Sequence, residues 1–183
     1  MNTPDFTAFP KMARFSREII ITEKIDGTNA SIFITDDGQF FTASRTRWIT
    51  PEDDNSGFSR WAHDNKEDLL KLGPGHHFGE WWGKGIQRNY GLQEKRFSLF
   101  NTYRWGNKDV RPACCHVVPV LWQGVMRERQ IMNALFSLEM EGSRAAPGFS
   151  DPEGVVIFHT AANMMFKKTI KKDEGPKSLV FTI

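Results

Sequence analysis

The feature of this sequence that most constrains its fold is a succession of β-strand patterns near the amino terminus. Residues Glu18–Lys24 (EIIITEK) are rich in β-branched side chains, which favour strands, and they run into a turn at Asp26-Gly27. A second strand pattern covers 29–35, a hairpin signal follows at Asp36-Asp37-Gly38, and a third strand pattern covers 39–44. The pattern predicts an antiparallel meander.

The rest of the chain mixes helical and strand-like patterns. An amphipathic helix is predicted over 58–72, because apolar residues recur at helical spacing until Gly73-Pro74-Gly75. A second helix is marked by Ile131, Leu135 and Leu138, and 144–152 reads as a loop. Further strands are predicted at 77–82, 97–103, 117–121, 155–159, 165–170 and 179–183. The sequence therefore predicts an α+β protein, and its 183 residues without an internal repeat or linker predict one domain over 1–183.

Charge and aromatic content leave the class of partner open. The net charge of +2 gives no global basic field of the kind that attracts nucleic acid, so any such surface must be local. The most basic local segment is the tail, which carries Lys167, Lys168, Lys171, Lys172 and Lys177. The 15 Phe and 6 Trp fit either a thick aromatic core or stacking platforms for bases, with the core favoured for any single ring.

The cellular setting is inferred from what the chain does not contain. Cys114 and Cys115 are adjacent and therefore poorly placed to bridge each other, and no His/Cys cluster suggests zinc. The start of the chain has no signal-like apolar run, and no stretch is long enough to span a membrane. We expect a cytoplasmic protein, in a bacterium or a phage-infected host, that acts without a membrane.

The strongest chemical signal is the segment Glu23-Lys24-Ile25-Asp26-Gly27-Thr28-Asn29. A lysine at a strand end, followed by an acid and a turn glycine, places an amine and a carboxylate at one cleft mouth. Taken alone, the K-x-D-G pattern fits a strand followed by a solvated turn equally well.

Five further segments follow at the spacings that one family requires: Ser44-Arg45, Phe78-Gly79-Glu80-Trp81-Trp82, Phe97-Ser98-Leu99-Phe100-Asn101, Glu153-Gly154-Val155-Val156-Ile157 and Phe166-Lys167-Lys168-Thr169. With these segments the chain resembles the covalent nucleotidyltransferases, which include ATP-dependent ligases and capping enzymes. It is most similar to the RNA ligase 2-like branch, in its small single-domain phage and bacterial form. The resemblance implies an α+β, ATP-grasp-like nucleotidyltransferase domain, with antiparallel sheets and flanking helices around a nucleotide cleft.

The resemblance implies a role for each residue of the first motif. Lys24 is the nucleophile that becomes lysyl-AMP, and Asp26 and Asn29 hold the lysine and the water shell of a metal. Glu23 accepts a hydrogen bond from the adenine amino group, while Ile25 and Gly27 are placed among the residues that bind the cofactor. The chemistry requires a neutral amine, although free lysine has a pKa near ~10.4.

The middle motifs are implied to bind the rest of the nucleotide. Arg45 contacts the phosphates or the acceptor end, with Arg47 as the spare candidate, and either is as readily a surface residue. Glu80 binds the ribose hydroxyls, unless it lies on an exposed strand face. Phe100 stacks on adenine or belongs to the core, and Asn101 stands where relatives often have Asp.

The last two motifs are implied to act on the phosphates. Glu153, together with Asp26, helps to hold Mg²⁺ or Mn²⁺, in part through water. Lys167 reaches the triphosphate, but Thr169 replaces the second lysine of the family pattern, so Lys168 is a candidate to compensate.

The implied activity is ATP-dependent joining of RNA 5′-phosphate and 3′-hydroxyl ends, at free ends or a nicked duplex. The resemblance leaves open a DNA ligase, a capping-type nucleotidyltransferase, or a catalytically silent nucleic-acid-binding module that keeps the fold. Only six residues follow Lys177, so we expect no carboxy-terminal OB-fold or helical domain. We further expect a monomer whose sealing is weak or needs an accessory protein to grip the nucleic acid.

Overall fold

The computed structural model describes residues 5–171 and Asp173. Within them the strands are β1 Glu18–Lys24, β2 Thr28–Ile34, β3 Phe40–Ser44, β4 Trp48–Ile49, β5 Gly75–Gly83, β6 Lys95–Leu99, β7 Cys115–Val117, β8 Val120–Val125, β9 Gly154–His159 and β10 Met164–Thr169. The helices are α1 Phe58–Asp64, α2 Lys66–Leu69, α3 Thr102–Trp105 and α4 Glu128–Glu141, and a 3₁₀ turn covers Leu70–Leu72.

The strands form two sheets. One has four strands in the order β10-β9-β1-β8, and the other has six in the order β4-β3-β2-β5-β6-β7. All pairs are antiparallel except β6 with β7, which is parallel. The α+β fold with antiparallel sheets and flanking helices, predicted from the sequence, is confirmed.

Each sheet is covered by helices on one face. Helices α1 and α2 and the 3₁₀ turn pack on the six-stranded sheet through Phe58, Ala62, Leu69 and Leu72. Helix α4 packs on the four-stranded sheet, where the buried residues are Ile19, Ile21, Ala134, Leu135, Leu138, Val155 and Ile157. A third, small cluster is formed by Ile25, Trp82, Tyr90, Val118 and Ala146. Lys24 of one sheet and Glu80 of the other are close enough for their charges to interact, and we call the space between them the cleft.

Most of the predicted elements are confirmed, and three differ. The predicted helix over 58–72 is broken into α1, α2 and the 3₁₀ turn. The predicted strand over 97–103 is wrong beyond Leu99, because the Asn101 side chain accepts a hydrogen bond from the Arg104 amide at 3.0 Å and caps α3. The predicted strand over 117–121 is two strands, β7 and β8, separated by Pro119, whose carbonyl accepts from the Glu23 amide.

Two predictions lie outside the described residues: the strand over 179–183, and the basic positions Lys172 and Lys177. Among the residues that are described, no helix has the length and apolar character needed to cross a membrane.

Candidate functional site

Lys24 lies at the end of β1, where strand pairing brings it to a buried carboxylate. Lys24 pairs with Gly154 of β9, so Glu153, one residue before that strand, reaches the same strand end. The Lys24 Nζ atom donates to Glu153 Oε2 at 2.6 Å, and the two side chains are 22% and 2% exposed. The amine is therefore held in a fixed, charge-assisted contact while it remains partly open to the cleft.

Glu80 faces this pair from the other sheet. It pairs with Asn29 across β5 and β2, and its Oε2 accepts from Asn29 Nδ2 at 3.0 Å. Its Oε1 accepts from the Gly27 amide, also at 3.0 Å. The carboxylate, which is 7% exposed, thus ties the turn after Lys24 to the six-stranded sheet.

The environment of Glu80 raises its pKa to about 7. Burial is the largest cause, since removing a carboxylate from water disfavours its charged form. The positive charge of Lys24 and the hydrogen bonds from Gly27 and Asn29 act in the opposite direction, and the charge of Glu153 adds to the rise. Glu80 consequently titrates near neutral pH.

Gly27 is required by the close approach of its neighbours. A Cβ atom there would lie 2.4 Å from the Trp81 carbonyl oxygen and 2.7 Å from the Trp82 Cβ. Because the first of these atoms belongs to the backbone of β5, a side chain cannot be accommodated by a rotamer change. The glycine of the K-x-D-G motif therefore brings the turn against β5.

Asp26 is anchored by two residues that the sequence did not reveal. Its Oδ2 accepts from Arg88 Nε at 3.0 Å, and its amide donates to the Tyr90 hydroxyl at 2.8 Å. Arg88 also donates to the Asp151 carbonyl at 2.9 Å and to Asp151 Oδ2 at 2.6 Å, and Asp151 Oδ1 accepts from Lys171. Arg88 thus connects the turn after Lys24 with the loop that leads into Glu153.

The segment that carries Arg88 and Tyr90 has an unusual backbone. Gln87, Asn89 and Tyr90 have φ angles of 45°, 62° and 53°, in the left-handed region that non-glycine residues seldom adopt. The sequence of this segment is rich in glycine, with Gly83, Gly85 and Gly91, but it does not identify Arg88 or Tyr90 as functional. Burial raises the pKa of the Tyr90 hydroxyl, so it remains a hydrogen-bonding phenol.

Glu23, predicted to contact adenine, is buried and hydrogen-bonded within the protein. Successive strand residues point to opposite faces, so Glu23 lies on the face away from Lys24. Its carboxylate is 1% exposed, accepts from Ser143 Oγ at 2.6 Å, and accepts from the Arg144 and Ala145 amides at 2.7 and 2.9 Å. These contacts connect Glu23 to the loop after α4, and burial raises its pKa despite the donors. Its contact with adenine stays a prediction.

Ile25 and Lys168 are two further residues predicted to bind the cofactor. The Ile25 side chain is 4% exposed and packs in the apolar cluster with Trp82 and Tyr90, so a contact with the cofactor would be made by its backbone. Lys168 pairs across β10 and β9 with Val155, which faces α4, and its Nζ contacts Asp173 at 2.9 Å. It therefore lies on the face opposite Lys24, and its predicted contact with the phosphates stays a prediction.

Lys167 and Thr169 occupy the face that Lys24 occupies. Thr169 pairs with Gly154, which pairs with Lys24, and Lys167 lies two residues earlier on the same face of β10. Lys167 is exposed. A cation and a hydroxyl thus stand beside the amine on the four-stranded sheet.

Arg45 and Phe100 lie at the margin of the site. Arg45 is exposed and directly follows β3. Phe100 follows β6, its amide donates to the Phe78 carbonyl at 3.0 Å, and its side chain is 39% exposed. Of its two sequence interpretations, a fully buried core position is excluded.

The charged groups of the cleft suit a divalent ion held with the help of a substrate. Glu153 and Asp26 supply the hard oxygen donors that Mg²⁺ and Mn²⁺ prefer. Lys24 and Arg88 already contact these carboxylates. Among residues 5–171 and Asp173, no group of three or more His, Cys, Asp or Glu side chains is arranged to hold a metal by itself.

Two comparisons with known proteins match most of the chain. The family model described as RNA ligase matches residues 17–172. No curated protein matches the sequence. Several solved structures of an RNA ligase from Naegleria gruberi have the same fold, at identities too low to carry function by themselves.

The structure of that ligase with PPi has a TM-score of 0.63 and 20% identity, over 91% of this chain and 57% of that chain. A mutant of the same ligase with AMP and Mn has a TM-score of 0.60 and 19% identity, over 90% of this chain and 56% of that chain. A mutant with ATP and Mn has a TM-score of 0.60 and 19% identity, over 84% of this chain and 50% of that chain. The chain thus spans about half the length of these solved proteins.

Proposed function

Because the chain belongs to the RNA ligase family, we propose that it joins RNA 5′-phosphate and 3′-hydroxyl ends at the expense of ATP, through an adenylate on Lys24. The observation that carries the proposal is the Lys24 amine, held 2.6 Å from the buried Glu153 carboxylate in a cleft that Glu80 faces from the other sheet. That arrangement combines a nucleophile, a carboxylate that orients it, and a polar site for a sugar.

The first step transfers an adenylyl group to Lys24. The Nζ atom must lose a proton before it attacks, since an ammonium has no free electron pair. Glu153 Oε2 accepts a hydrogen bond from Nζ and orients the amine, and because the Lys24 side chain is 22% exposed its proton passes to water. A positive charge held at Glu153 would favour the neutral amine. A bond then forms between Nζ and the α-phosphorus, the bond from that phosphorus to the bridging oxygen breaks, and pyrophosphate leaves.

Residues on both sheets orient the nucleotide. Glu80 Oε1 and Oε2 each accept one hydrogen bond within the protein, and each keeps a lone pair for a ribose hydroxyl. Phe100 offers a partly exposed ring beside β5 for the adenine. Lys167 and Thr169 offer a charge and a hydroxyl to the phosphates on the Lys24 side.

In this scheme Glu153 and Asp26 would hold a divalent ion, since both offer the oxygen donors that Mg²⁺ and Mn²⁺ prefer. When bound, such an ion neutralises phosphate charge in the transition state and in the departing pyrophosphate. The contribution of the chain itself is to position these two carboxylates through Lys24 and Arg88.

In the two later steps, AMP passes to an RNA 5′-phosphate, and a 3′-hydroxyl then displaces it as the strands join. Both are in-line phosphoryl transfers at the same cleft, so positioning and electrostatic stabilisation supply the catalysis. We expect the residues of this chain to suffice for the first step. Joining is expected to be weaker, and to gain from an accessory protein that grips the RNA.

The test is self-labelling with ATP that carries radiolabel on its α-phosphate. We expect a covalent label that Lys24→Ala abolishes and Lys84→Ala, at an exposed lysine outside the cleft, retains. Chasing the labelled protein with 5′-phosphorylated RNA should release the label onto the RNA end.

The same experiment separates the alternatives. Labelling by GTP instead of ATP would indicate a capping-type enzyme, and transfer to DNA ends alone would indicate a DNA ligase. An unlabelled but nucleic-acid-binding protein would be the silent module, and would refute the proposal.

A further inference from the structure

The sheet face that holds Asn29 and Glu80 continues beyond the cleft as a surface of aromatic rings. Directly paired residues share a face, and on this face the Asn29–Glu80 pair is followed by Ser31–Phe78 and then Phe33–His76. The next strands extend it, since Phe33 pairs with Phe41, and Trp48 pairs with Ala43 beside them. We call Phe33, Phe41, Trp48, His76 and Phe78 the aromatic face.

The rings of the aromatic face form one connected array. His76 and Phe78 are stacked, with centroids 4.1 Å apart, and Trp48 is stacked on His76 at 6.1 Å with an interplanar angle of 16°. Phe33 contacts Phe41, Trp48 and His76 at 6.3, 6.1 and 5.5 Å. The stacked row Trp48–His76–Phe78 ends on the side of the cleft, because Phe78 lies two residues before Glu80 in β5.

The aromatic face is open to solvent although it is strongly apolar. Phe41, Trp48 and Phe78 are 40%, 56% and 54% exposed. The helices that cover the six-stranded sheet pack on its other face, and α4 packs on the four-stranded sheet. A contiguous exposed surface of this kind marks a binding site more often than an accident of composition.

The chemistry of this surface fits unpaired nucleobases. Aromatic rings on an open sheet stack bases of single-stranded RNA, and stacking tolerates any sequence because every base has a π-face. The surface is continuous with the cleft proposed to bind a nucleotide. Arg45 and Arg47 follow β3 at its margin, where an exposed guanidinium can meet a phosphate, although Arg47 also contacts Asp53.

We propose that the aromatic face binds unpaired nucleotides of the RNA strand whose end enters the cleft, with Phe78 and Trp48 as the principal stacking rings. The inference builds on the proposed ligase function, since it identifies the substrate as a strand with single-stranded character next to its reactive end. The aromatic face would also provide contacts with the RNA outside the adenylating cleft.

The test measures affinity for a short single-stranded RNA by fluorescence anisotropy at one fixed salt concentration, because the phosphate contribution varies with salt. We expect Trp48→Ala and Phe78→Ala each to weaken binding on the order of tenfold, the loss typical of one stacked base. The matched control is Phe136→Ala, which removes a ring that is 63% exposed on α4. It should bind like the wild type, and thermal unfolding of each variant confirms that the fold is kept.

Two substitutions at Phe78 separate stacking from general apolar contact. Phe78→Trp should retain the affinity and Phe78→Leu should lose it, since leucine keeps apolar surface without a π-face. In addition, RNA containing 4-thiouridine should crosslink under ultraviolet light to peptides that include Trp48 or Phe78.

Unchanged affinity in Trp48→Ala and Phe78→Ala, or an equal loss in Phe136→Ala, would overturn the inference. So would self-association that these variants abolish while RNA binding persists, because the face would then bind a second copy of the chain. A wild type that forms no lysyl-AMP, but whose RNA affinity still depends on Trp48 and Phe78, would refute the ligase proposal and leave the aromatic face standing.

Discussion

Glu80→Gln provides a direct test of the electrostatics of the cleft. In the folded protein burial raises the pKa of Glu80 to about 7 from an ordinary value of 4.5. Between these pH values the folded state holds a proton that the unfolded chain has released, so the free energy of unfolding falls as pH rises. The stabilisation linked to Glu80 is complete below about pH 4.5 and is lost as pH rises through about 7.

The size of the effect follows from the two pKa values. Each tenfold difference in proton affinity corresponds to about 1.4 kcal/mol, so the two states differ by roughly 3 kcal/mol through this one group. Glutamine is neutral at every pH and fits the same space. The stability of Glu80→Gln relative to the wild type should therefore increase by roughly 3 kcal/mol between about pH 4.5 and about pH 8.5.

The measurement is urea unfolding followed by tryptophan fluorescence at several pH values. Other groups titrate in this window, among them Glu23, whose pKa burial raises, and His76 and His77, whose pKa values burial lowers. Their contributions are common to both proteins and cancel in the difference. Glu139→Gln, at an exposed position of α4, is the control and should show no such trend. A difference between Glu80→Gln and wild type that stays constant with pH would refute the reasoning.

Three further predictions test the positions of residues around Lys24. Lys167→Ala should slow self-adenylation by roughly 10²-fold in a quench-flow assay, because one positive charge that contacts the phosphates is lost. Lys168→Ala, on the opposite face of β10, should leave the rate little changed. Equal rates in the two variants would contradict the assignment of faces. Arg88→Ala should lower the free energy of unfolding by roughly 1–3 kcal/mol in urea, because Asp26 loses a hydrogen-bond partner in a buried setting. Arg88→Lys should restore only part of that free energy. An Arg88→Ala variant as stable as the wild type would show that the contact between Arg88 and Asp26 is dispensable. Gly27→Ala should destabilise the protein by at least about 1–3 kcal/mol in thermal unfolding and should reduce adenylation, because the added Cβ meets the backbone of β5. A melting temperature equal to that of the wild type would show that the turn can move away from β5.

The local patterns of the sequence were sufficient to predict most of the strands. β1 follows from its β-branched residues, and the β2–β3 hairpin follows from its Asp-Asp-Gly turn signal. At Asn101 the local sequence pattern predicted the wrong secondary structure. Its neighbours look strand-like, but its side chain caps a helix, and a cap depends on where the following amide lies.

The candidate site was only partly accessible from sequence, because motifs give residues but not the faces they occupy. Glu23 and Lys24 are neighbours in the motif, yet a strand turns their side chains to opposite sides, and the same alternation separates Lys168 from Lys167. Arg88 was missed for a different reason. It acts through contacts with Asp26, 62 residues away, and no local pattern records such a distance.

The aromatic face illustrates a third limit. Composition showed many Phe and Trp residues but could not separate core rings from exposed ones. Phe58 and Phe97 are fully buried, whereas Trp48 and Phe78 are more than half exposed. Phe97 lies on the helix-covered face of the six-stranded sheet and Trp48 and Phe78 lie on its open face, a difference that depends on strand register. Phe58 is buried because it belongs to α1, the helix that packs on that sheet.

The most direct measurement is the intact mass of the protein after incubation with ATP and Mg²⁺, followed by peptide mapping of the product. Our account requires the mass to increase by one adenylyl group, with the modification on the peptide that contains Lys24, and pyrophosphate to remove it. Adenylylation at another lysine, or no mass change in a correctly folded protein, would contradict it.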